Sequence, residues 1–210
     1  MCFSATASIV TGSVLLATGS HTITKASKSS YLMLASVPII FSIQQFAESL
    51  IWICHNGASI TSCSQIPVLI FVIIGQSFWP IWIPLSVLSL EKNADRRRVL
   101  KGFTFIGVMV STYYLFHTIR YGVEAKVLDH HIDYNFNYPL SFVSEVRWVY
   151  VLPTVLANFS SSLKEIKIFG ILILLALVAT QILFIQTAFS VWCFFAAIIS
   201  IYIYFIIKPL

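Results

Sequence analysis

The class of fold is decided by residues 168–207, IFGILILLALVATQILFIQTAFSVWCFFAAIISIYIYFII, which contain no aspartate, glutamate, lysine or arginine. A helix that crosses the hydrocarbon core of a bilayer needs about 20 largely apolar residues. The stretch is therefore long enough for two such helices in succession. We predict two membrane spans here, at about 165–184 and 186–207.

The composition of the whole chain indicates the same environment. Of its 210 residues, 58% are hydrophobic and 10% are charged, and the mean hydropathy is +0.88. An average soluble domain carries about 25% charged residues, so a chain this apolar lacks the polar groups to cover a surface in water. We expect a multi-pass integral membrane protein whose first partner is the lipid bilayer.

The same criterion, applied along the chain, predicts an all-α bundle of seven transmembrane helices that forms a single domain over residues 1–210. The spans are expected at about 4–24, 31–54, 66–90, 99–119, 139–158, 165–184 and 186–207. The first span is the least hydrophobic, and its small residues Ser4, Ser8 and Gly12 recur every four positions. They share one helix face that a neighbouring helix can approach closely, so we expect this span to pack inside the bundle.

The distribution of lysine and arginine predicts how the chain crosses the membrane. With seven spans, most of these residues fall on one side, namely Lys25, Lys28, Lys92, Arg96, Arg97, Arg98, Lys101, Lys164, Lys167 and Lys208. Basic residues favour the cytoplasmic side, which places the N-terminus outside and the C-terminus in the cytoplasm. The net charge of +5 then reflects topology and contacts with anionic headgroups, and we expect no nucleic-acid partner.

Polar side chains inside the predicted spans are candidates for a functional site, because such residues are costly in a membrane. Gln44 and Glu48 lie four residues apart on one helix face, and Gln76 lies near the middle of the third span. In that span, Pro80 and Pro84 should kink the helix and free backbone carbonyls. The predicted ligand-binding residues are Gln44, Gln45, Gln76, Tyr113, Arg120, Glu145 and Arg147.

These groups all fall in the outward half of helices that run in alternating directions. The coincidence predicts a polar cavity that opens outward, is lined by spans two to five and is covered by the loop at 120–138. The alternative is that the polar groups only join helices, with Glu48 paired to Arg147 or Glu145 paired to Arg120.

Cysteine and histidine residues support a second hypothesis, a metal site. Cys2 follows Met1, whose removal would leave an amine and a thiol on one residue, able to chelate a soft metal or to act as a nucleophile. The predicted ligands of a zinc, copper or iron ion are Cys2, Glu48, His117, His130 and His131. Glu48, as a general base, and Cys2 are also the candidate catalytic residues. Cys54 and Cys63 flank an outer loop and are candidates for a disulfide.

Two stretches of the chain resemble a known family. The opening Met-Cys-Phe-Ser-Ala at residues 1–5 and FSIQQFAESLIW at residues 41–52 are similar to a family of small uncharacterised bacterial multi-span membrane proteins that begin Met-Cys-Phe-Ser. The resemblance implies that Cys2 and the polar face of the second span belong to one site. It also implies a location in a bacterial inner (plasma) membrane, but no activity, substrate or cofactor.

The sequence therefore favours an outward-facing polar site that binds a metal ion or a small ligand, with membrane-embedded catalysis left open. A small-solute transporter is an alternative, although it predicts polar groups in the inner halves of the spans, where few occur. A second alternative is a sensor or interaction protein that acts through the basic loop at 91–101. A third is a lipid-modifying enzyme at the outer headgroup level, which would use the same residues. The oligomeric state is open.

Overall fold

The computed structural model describes residues 4–26, 28–57, 65–128, 131–138, 143–184 and 187–207. Its described helices are α1 (Ala5–Lys25), α2 (Ser29–Ala35), α3 (Val37–Gly57), α4 (Ile66–Val72), α5 (Trp79–Leu90), α6 (Ala94–Tyr121), α7 (Val143–Thr154), α8 (Lys164–Leu183), α9 (Ala188–Ser200) and α10 (Tyr202–Ile207). A π-helix, Ile73–Phe78, joins α4 to α5, and a 3-10 helix, Leu156–Ser160, follows α7. The prediction of an all-α fold is confirmed.

Five helical segments are long and apolar enough to cross a membrane, namely Ser29–Cys54, Ile66–Leu90, Ala94–Tyr121, Lys164–Leu183 and Ala188–Ile207. Helix α1 is not among them, and the apolar segment Trp148–Ser160 is shorter. Helix α1 is rich in small polar residues, and Trp148–Ser160 has too few residues to span the hydrocarbon core. The structure is compatible with a membrane protein, while the seven spans and their orientation stay predictions.

Helix α1 packs against α3 through the row of small residues in its sequence. Ser8 and Gly12 are buried, and the Ser42 hydroxyl of α3 donates a hydrogen bond to the Gly12 carbonyl oxygen at 2.7 Å. The opposite face is apolar and exposed, with 56% of Val10 and 47% of Val14 accessible. The close contact agrees with the prediction, whereas α1 as a whole lies at the edge of the bundle instead of inside it.

The third predicted span is interrupted by the π-helix and by two prolines, Pro80 and Pro84. Pro84 has no backbone N–H, so the carbonyl oxygen of Pro80 lacks its usual partner one turn later in α5. Helix α6 passes this point at Gly107, where an added Cβ atom would lie 1.9 Å from the Pro80 oxygen. The absence of a side chain at Gly107 therefore permits the two backbones to meet.

The segment predicted to be a covering loop contains a β-hairpin. Strand β1 (Val123–Leu128) pairs antiparallel with β2 (His131–Phe136). Ile132 and Tyr134, two positions apart on one face of β2, are buried. The Tyr134 ring stacks on that of Phe71 in α4, with centroids 4.8 Å apart. The hairpin thus lies against the helices in the covering position that was predicted for a loop.

At the other end of the bundle, Glu91 joins the α5–α6 loop to the segment before α8. It is only 4% exposed, and its Oε1 accepts hydrogen bonds from the backbone N–H groups of Lys92 and Asn93, each at 2.9 Å. Its carboxylate also accepts from the Ser162 backbone N–H at 2.6 Å and from the Ser162 hydroxyl at 2.5 Å. Burial raises the pKa of Glu91, but these hydrogen bonds outweigh it and hold the pKa below its ordinary value of 4.5.

Part of the basic cluster reinforces this junction. Arg96 donates from Nη1 to the carbonyl oxygens of Ser160 and Ser161, at 3.2 and 3.1 Å. These bonds hold the beginning of α6 against the loop that precedes α8. We refer to this end of the bundle, which also carries Lys28 and Lys92, as the basic end and to the opposite one as the hairpin end.

Candidate functional site

A cavity of about 200 Å³ lies at the hairpin end, between β2 and helices α6 to α9. Its walls are mainly aromatic and include Tyr114, Tyr134, Phe136, Tyr138, Trp148, Tyr150, Phe189 and Trp192. Polar side chains from Gln76, Asp133, Gln181 and Ser190 lie among these rings. A concave, largely apolar space with a few polar groups is the usual form of a small-molecule site. We refer to this space as the outer cavity.

One polar wall of the outer cavity is formed by Gln76 and Tyr138. The Tyr138 hydroxyl donates to Gln76 Oε1 at 3.2 Å, and it accepts in turn from the Thr118 hydroxyl of α6. Burial raises the pKa of Tyr138 to about 12, so the hydroxyl keeps its proton at neutral pH. Because its oxygen is taken by Tyr138, Gln76 has its amide nitrogen to offer as a donor.

The π-helix positions Gln76 and connects the outer cavity to α3. The Tyr150 hydroxyl of α7 donates to the Gly75 carbonyl oxygen at 2.5 Å. Gly75 itself lies so close to α3 and α9 that an added Cβ atom would be 3.2 Å from Gln44 Nε2 and 2.6 Å from the Phe189 ring. Local π-helices of this kind are frequent at functional sites.

Glu48 lies behind another wall of the outer cavity. It is fully buried in α3, and its Oε1 accepts a hydrogen bond from the Ser190 hydroxyl at 2.7 Å. Its Oε2 accepts from Gln45 Nε2 at 3.4 Å. Ser190 belongs to α9 and lines the outer cavity. The Ser190 hydroxyl thus links this wall of the outer cavity to the buried carboxylate.

The other polar residues of α3 join helices around this point. Gln44 Oε1 accepts from Trp79 Nε1 at 3.3 Å, and Gln44 Nε2 donates to the Phe71 carbonyl oxygen at 3.4 Å. The Cys193 thiol of α9 lies beside the same amide. Gln45 Oε1 is buried and has no hydrogen-bond partner among the described residues. The predicted polar face of the second span is therefore a buried cluster between α3, α5 and α9.

One face of α6 does not line the outer cavity, and it carries the predicted residues Tyr113, His117 and Arg120. His117 Nδ1 is 2.8 Å from the Tyr113 carbonyl oxygen, one turn earlier in the same helix. Arg120 is exposed, with its guanidinium carbon 5.6 Å from the centroid of the Tyr121 ring. The residue of α6 that faces the cavity is Tyr114, one position from the predicted Tyr113.

Several predicted site residues fall outside the part of the chain that the structure describes. They are Cys2, Cys63 and His130, together with the side chains of Glu145 and Arg147. His131 lies on β2, with its ring centroid 5.3 Å from that of Phe184. Within the described ranges, no group of three or more His, Cys, Asp or Glu side chains could hold a metal ion. The metal site, the Cys54–Cys63 disulfide and the Glu48–Arg147 pair stay predictions.

Two residues that build the site were not predicted from the sequence. Ser190 gives no distinctive signal, because serine is a common helix-joining residue in membrane helices. Tyr138 was assigned only to a covering loop. A signal for it did exist, since apolar or aromatic side chains at Ile132, Tyr134 and Phe136 alternate with polar ones and the alternation continues to Tyr138.

Comparison with known proteins places the chain in a family but gives it no function. The chain belongs to a family of unknown function, DUF6629, whose model matches residues 1–209. No curated protein and no solved structure matches the chain. The expectation of an uncharacterised family is confirmed, while its bacterial origin and its opening motif stay predictions. A function can therefore be argued only from the site.

Proposed function

We propose that this is an integral membrane protein that binds a small molecule in the outer cavity from the non-cytoplasmic side. Five helices of sufficient length and apolarity support membrane insertion. The orientation is supported by the concentration of lysine and arginine at the basic end, opposite the outer cavity. The observation that carries the proposal is the hydrogen bond between Ser190 and Glu48, which holds a fully buried carboxylate against the cavity wall.

The polar groups of the outer cavity define the chemistry of such a ligand. Gln76 offers an N–H donor, and Ser190 connects the cavity wall to the Glu48 carboxylate. Trp192 Nε1 is buried without a hydrogen-bond partner among the described residues, which costs roughly 1–3 kcal/mol until something accepts from it. Asp133 adds a carboxylate to the lining. The proposed ligand is a small molecule with an apolar body and with both donors and acceptors.

Glu48 has a different role in this proposal from the direct one predicted from the sequence. Among the described residues, Ser190 lines the outer cavity and Glu48 lies behind it. Glu48 is therefore a positioning residue that fixes the direction of the Ser190 hydroxyl. A carboxylate in contact with a serine could also act as its base, but we propose binding and do not extend the proposal to turnover.

Accessibility of the cavity is tested by labelling Gln181→Cys from outside with a membrane-impermeant cationic methanethiosulfonate. Gln181 lines the outer cavity and is partly exposed, whereas its neighbour Thr180 is fully buried. Thiol reactivity follows exposure, so we expect Gln181→Cys to react at least about tenfold faster than Thr180→Cys in right-side-out vesicles. Rates are measured by mass spectrometry in chains in which Cys2, Cys54 and Cys63 are replaced by serine.

Two results of this experiment would contradict the proposal. Equal rates for Gln181→Cys and Thr180→Cys would mean that the cavity does not open to the outside. Reaction of Gln181→Cys only after the vesicles are permeabilised would place the hairpin end in the cytoplasm.

Binding is tested by native mass spectrometry of the protein released from its own membranes without chelator. We expect a co-purified small molecule, with an occupancy that Ser190→Ala lowers by roughly tenfold or more, because the hydrogen bond that holds Glu48 at the cavity wall is lost. The control is Ser200→Ala on the same helix. Ser200 is fully buried, and its hydroxyl donates within α9 to the Ala197 carbonyl oxygen at 2.6 Å.

A wild-type protein without a bound species, or equal losses in Ser190→Ala and Ser200→Ala, would overturn the proposed site. Metal analysis of the same samples tests the metal hypothesis separately. Near-stoichiometric zinc, copper or iron that disappears in Cys2→Ala would identify a metal ion as the ligand. The same metal content in both samples would exclude Cys2 as its anchor.

A further inference from the structure

A second cavity lies at the basic end, between α2 and the junction of α5 with α6. It has a volume of about 500 Å³, and its polar lining includes Lys28, Tyr31, Ser89, Glu91, Lys92 and Arg97. Lys28 precedes α2, whereas Lys92 and Arg97 belong to the α5–α6 loop and the first turn of α6, much later in the sequence. The fold therefore gathers positive charge around one space, which we call the basic pocket.

The Arg97 side chain is held in a fixed position at the edge of the basic pocket. Its Nη1 donates to the carbonyl oxygens of Leu88 and Glu91, both at 2.8 Å. These two bonds fasten the guanidinium to the end of α5 and do not use Nε or Nη2. An arginine anchored in this way offers further N–H groups at little cost in side-chain entropy.

Glu91 is the single acidic residue in the lining of the basic pocket. Both carboxylate oxygens of Glu91 accept hydrogen bonds, from Ser162 and from the backbone N–H groups that follow Glu91. The nearest acidic side chain along α6, Asp95, lies 3.5 Å from Arg98 and is exposed. Lys28, Lys92 and Arg97 therefore give the basic pocket an excess of positive charge.

The walls of the basic pocket are held together by hydrogen bonds between α2 and α5. The Ser89 hydroxyl donates to the Ser30 carbonyl oxygen at 2.7 Å, and Trp82 Nε1 donates to the Met33 carbonyl oxygen at 3.1 Å. The position of α2, and with it the position of Lys28 at its beginning, is thus fixed relative to α5. The charges form a built pocket and not only a basic stretch of chain.

We infer that the basic pocket binds a phosphate group, carried by an anionic lipid or by a soluble phosphate compound. Lysine and arginine bind phosphate through charge-assisted hydrogen bonds, and an anchored arginine adds geometric specificity. This site lies at the opposite end of the molecule from the outer cavity. Only its lipid form rests on the membrane orientation proposed above, because a soluble phosphate could reach it in detergent as well.

The lipid form is tested by native mass spectrometry of detergent-purified protein mixed with equal amounts of phosphatidylglycerol and phosphatidylcholine. We expect a preference for phosphatidylglycerol, and we expect Lys28→Gln with Lys92→Gln to lower that affinity at least about tenfold, since two charge-assisted contacts are lost. The control is Arg98→Gln with Lys101→Gln, which removes the same charge from exposed positions of α6 outside the basic pocket. All four side chains are exposed, but Arg98 and Lys101 do not line the basic pocket, so this pair should lose less than about threefold.

The soluble form is tested with inorganic phosphate, by phosphorus NMR on the same proteins in phosphatidylcholine nanodiscs. Broadening of the inorganic phosphate resonance that is lost in Lys28→Gln with Lys92→Gln, together with displacement of bound phosphatidylglycerol by phosphate, supports a soluble phosphate ligand. Lipid selectivity without competition by phosphate supports an anionic lipid. Equal losses in both double variants would reduce the effect to general electrostatics and overturn the basic pocket, as would a wild type that binds neither probe. Melting temperatures within about 2 °C of the wild type show that each variant is folded.

Discussion

Replacing Gly107 by alanine is expected to destabilise the protein by about 3 kcal/mol, the largest effect we predict for one added methyl group. The added Cβ atom would lie 1.9 Å from the carbonyl oxygen of Pro80 and 2.7 Å from its carbonyl carbon. Both atoms belong to backbone that Pro80 and Pro84 make rigid, so no side chain can turn away to relieve the clash. Helix α6 would have to move away from α5, which opens the packing between them.

The measurement is the melting temperature of detergent-purified protein by fluorescence-detected size exclusion, and we expect a decrease of roughly 10 °C. Gly102→Ala is the matched control, because an added Cβ there would meet nothing within 4 Å. In that exposed position alanine should stabilise the helix by about 0.5–1 kcal/mol. A Gly107→Ala protein as stable as Gly102→Ala would show that α5 and α6 do not meet at this point.

Replacing Glu91 by glutamine is expected to cost about 3 kcal/mol at neutral pH, although the two side chains have the same shape. Glu91 accepts four hydrogen bonds from Lys92, Asn93 and Ser162. An amide has one accepting oxygen, so its NH₂ group would face a donor, such as the Ser162 backbone N–H. The buried donor would then lose its partner, and the loops at the basic end would separate.

The effect is measured as the melting temperature of Glu91→Gln beside that of Glu124→Gln. Glu124 is an exposed residue of β1 whose pair with Lys126, at 3.8 Å, should contribute less than about 1 kcal/mol. Equal melting temperatures for Glu91→Gln and the wild type would show that Glu91 does not hold the loops together.

The stability difference between the wild type and Glu91→Gln should also depend on pH, in a direction that the pKa of Glu91 determines. The folded pKa of Glu91 lies below its ordinary value of 4.5, so its stabilising contribution is fully present above pH 4.5 and is lost as the pH falls through the folded pKa. The stability difference between wild type and Glu91→Gln should therefore be constant from neutral pH to about 5 and shrink below 4.5. A difference that grows on acidification would contradict this assignment.

The helices could be predicted from the sequence because an apolar run long enough for a span leaves few alternatives. Pro80 and Pro84 predict an irregular third span, and the π-helix Ile73–Phe78 ends just before Pro80. The hairpin was not predicted, because the prediction of a covering loop at 120–138 rested on aromatic content alone. Alternation along β2, with Ile132 and Tyr134 on the buried face, was the stronger signal.

The site could be predicted only in part, because hydropathy does not determine which helices are neighbours. The sequence identifies Glu48 as a costly buried charge, but its partner Ser190 lies 142 positions away on another helix. The prediction also placed the wrong face of α6 toward the site, because it rested on the polar row that ends at Arg120. The buried positions of α6 include Gly107, Ser111, Tyr114 and Thr118, which are mostly small or polar residues.

The bonds around Glu91 also determine how the molecule can change shape. They join the end of α5, the beginning of α6 and the loop before α8 at one junction, which the hydrogen bonds of Arg96 reinforce. Helices fastened together at one end cannot slide past one another along their lengths. Relative motion of α6 and α8, which both line the outer cavity, would then come from tilting about this junction, so that a small angle at Glu91 becomes a larger displacement at the hairpin end. The basic end would thus be the hinge of such a motion.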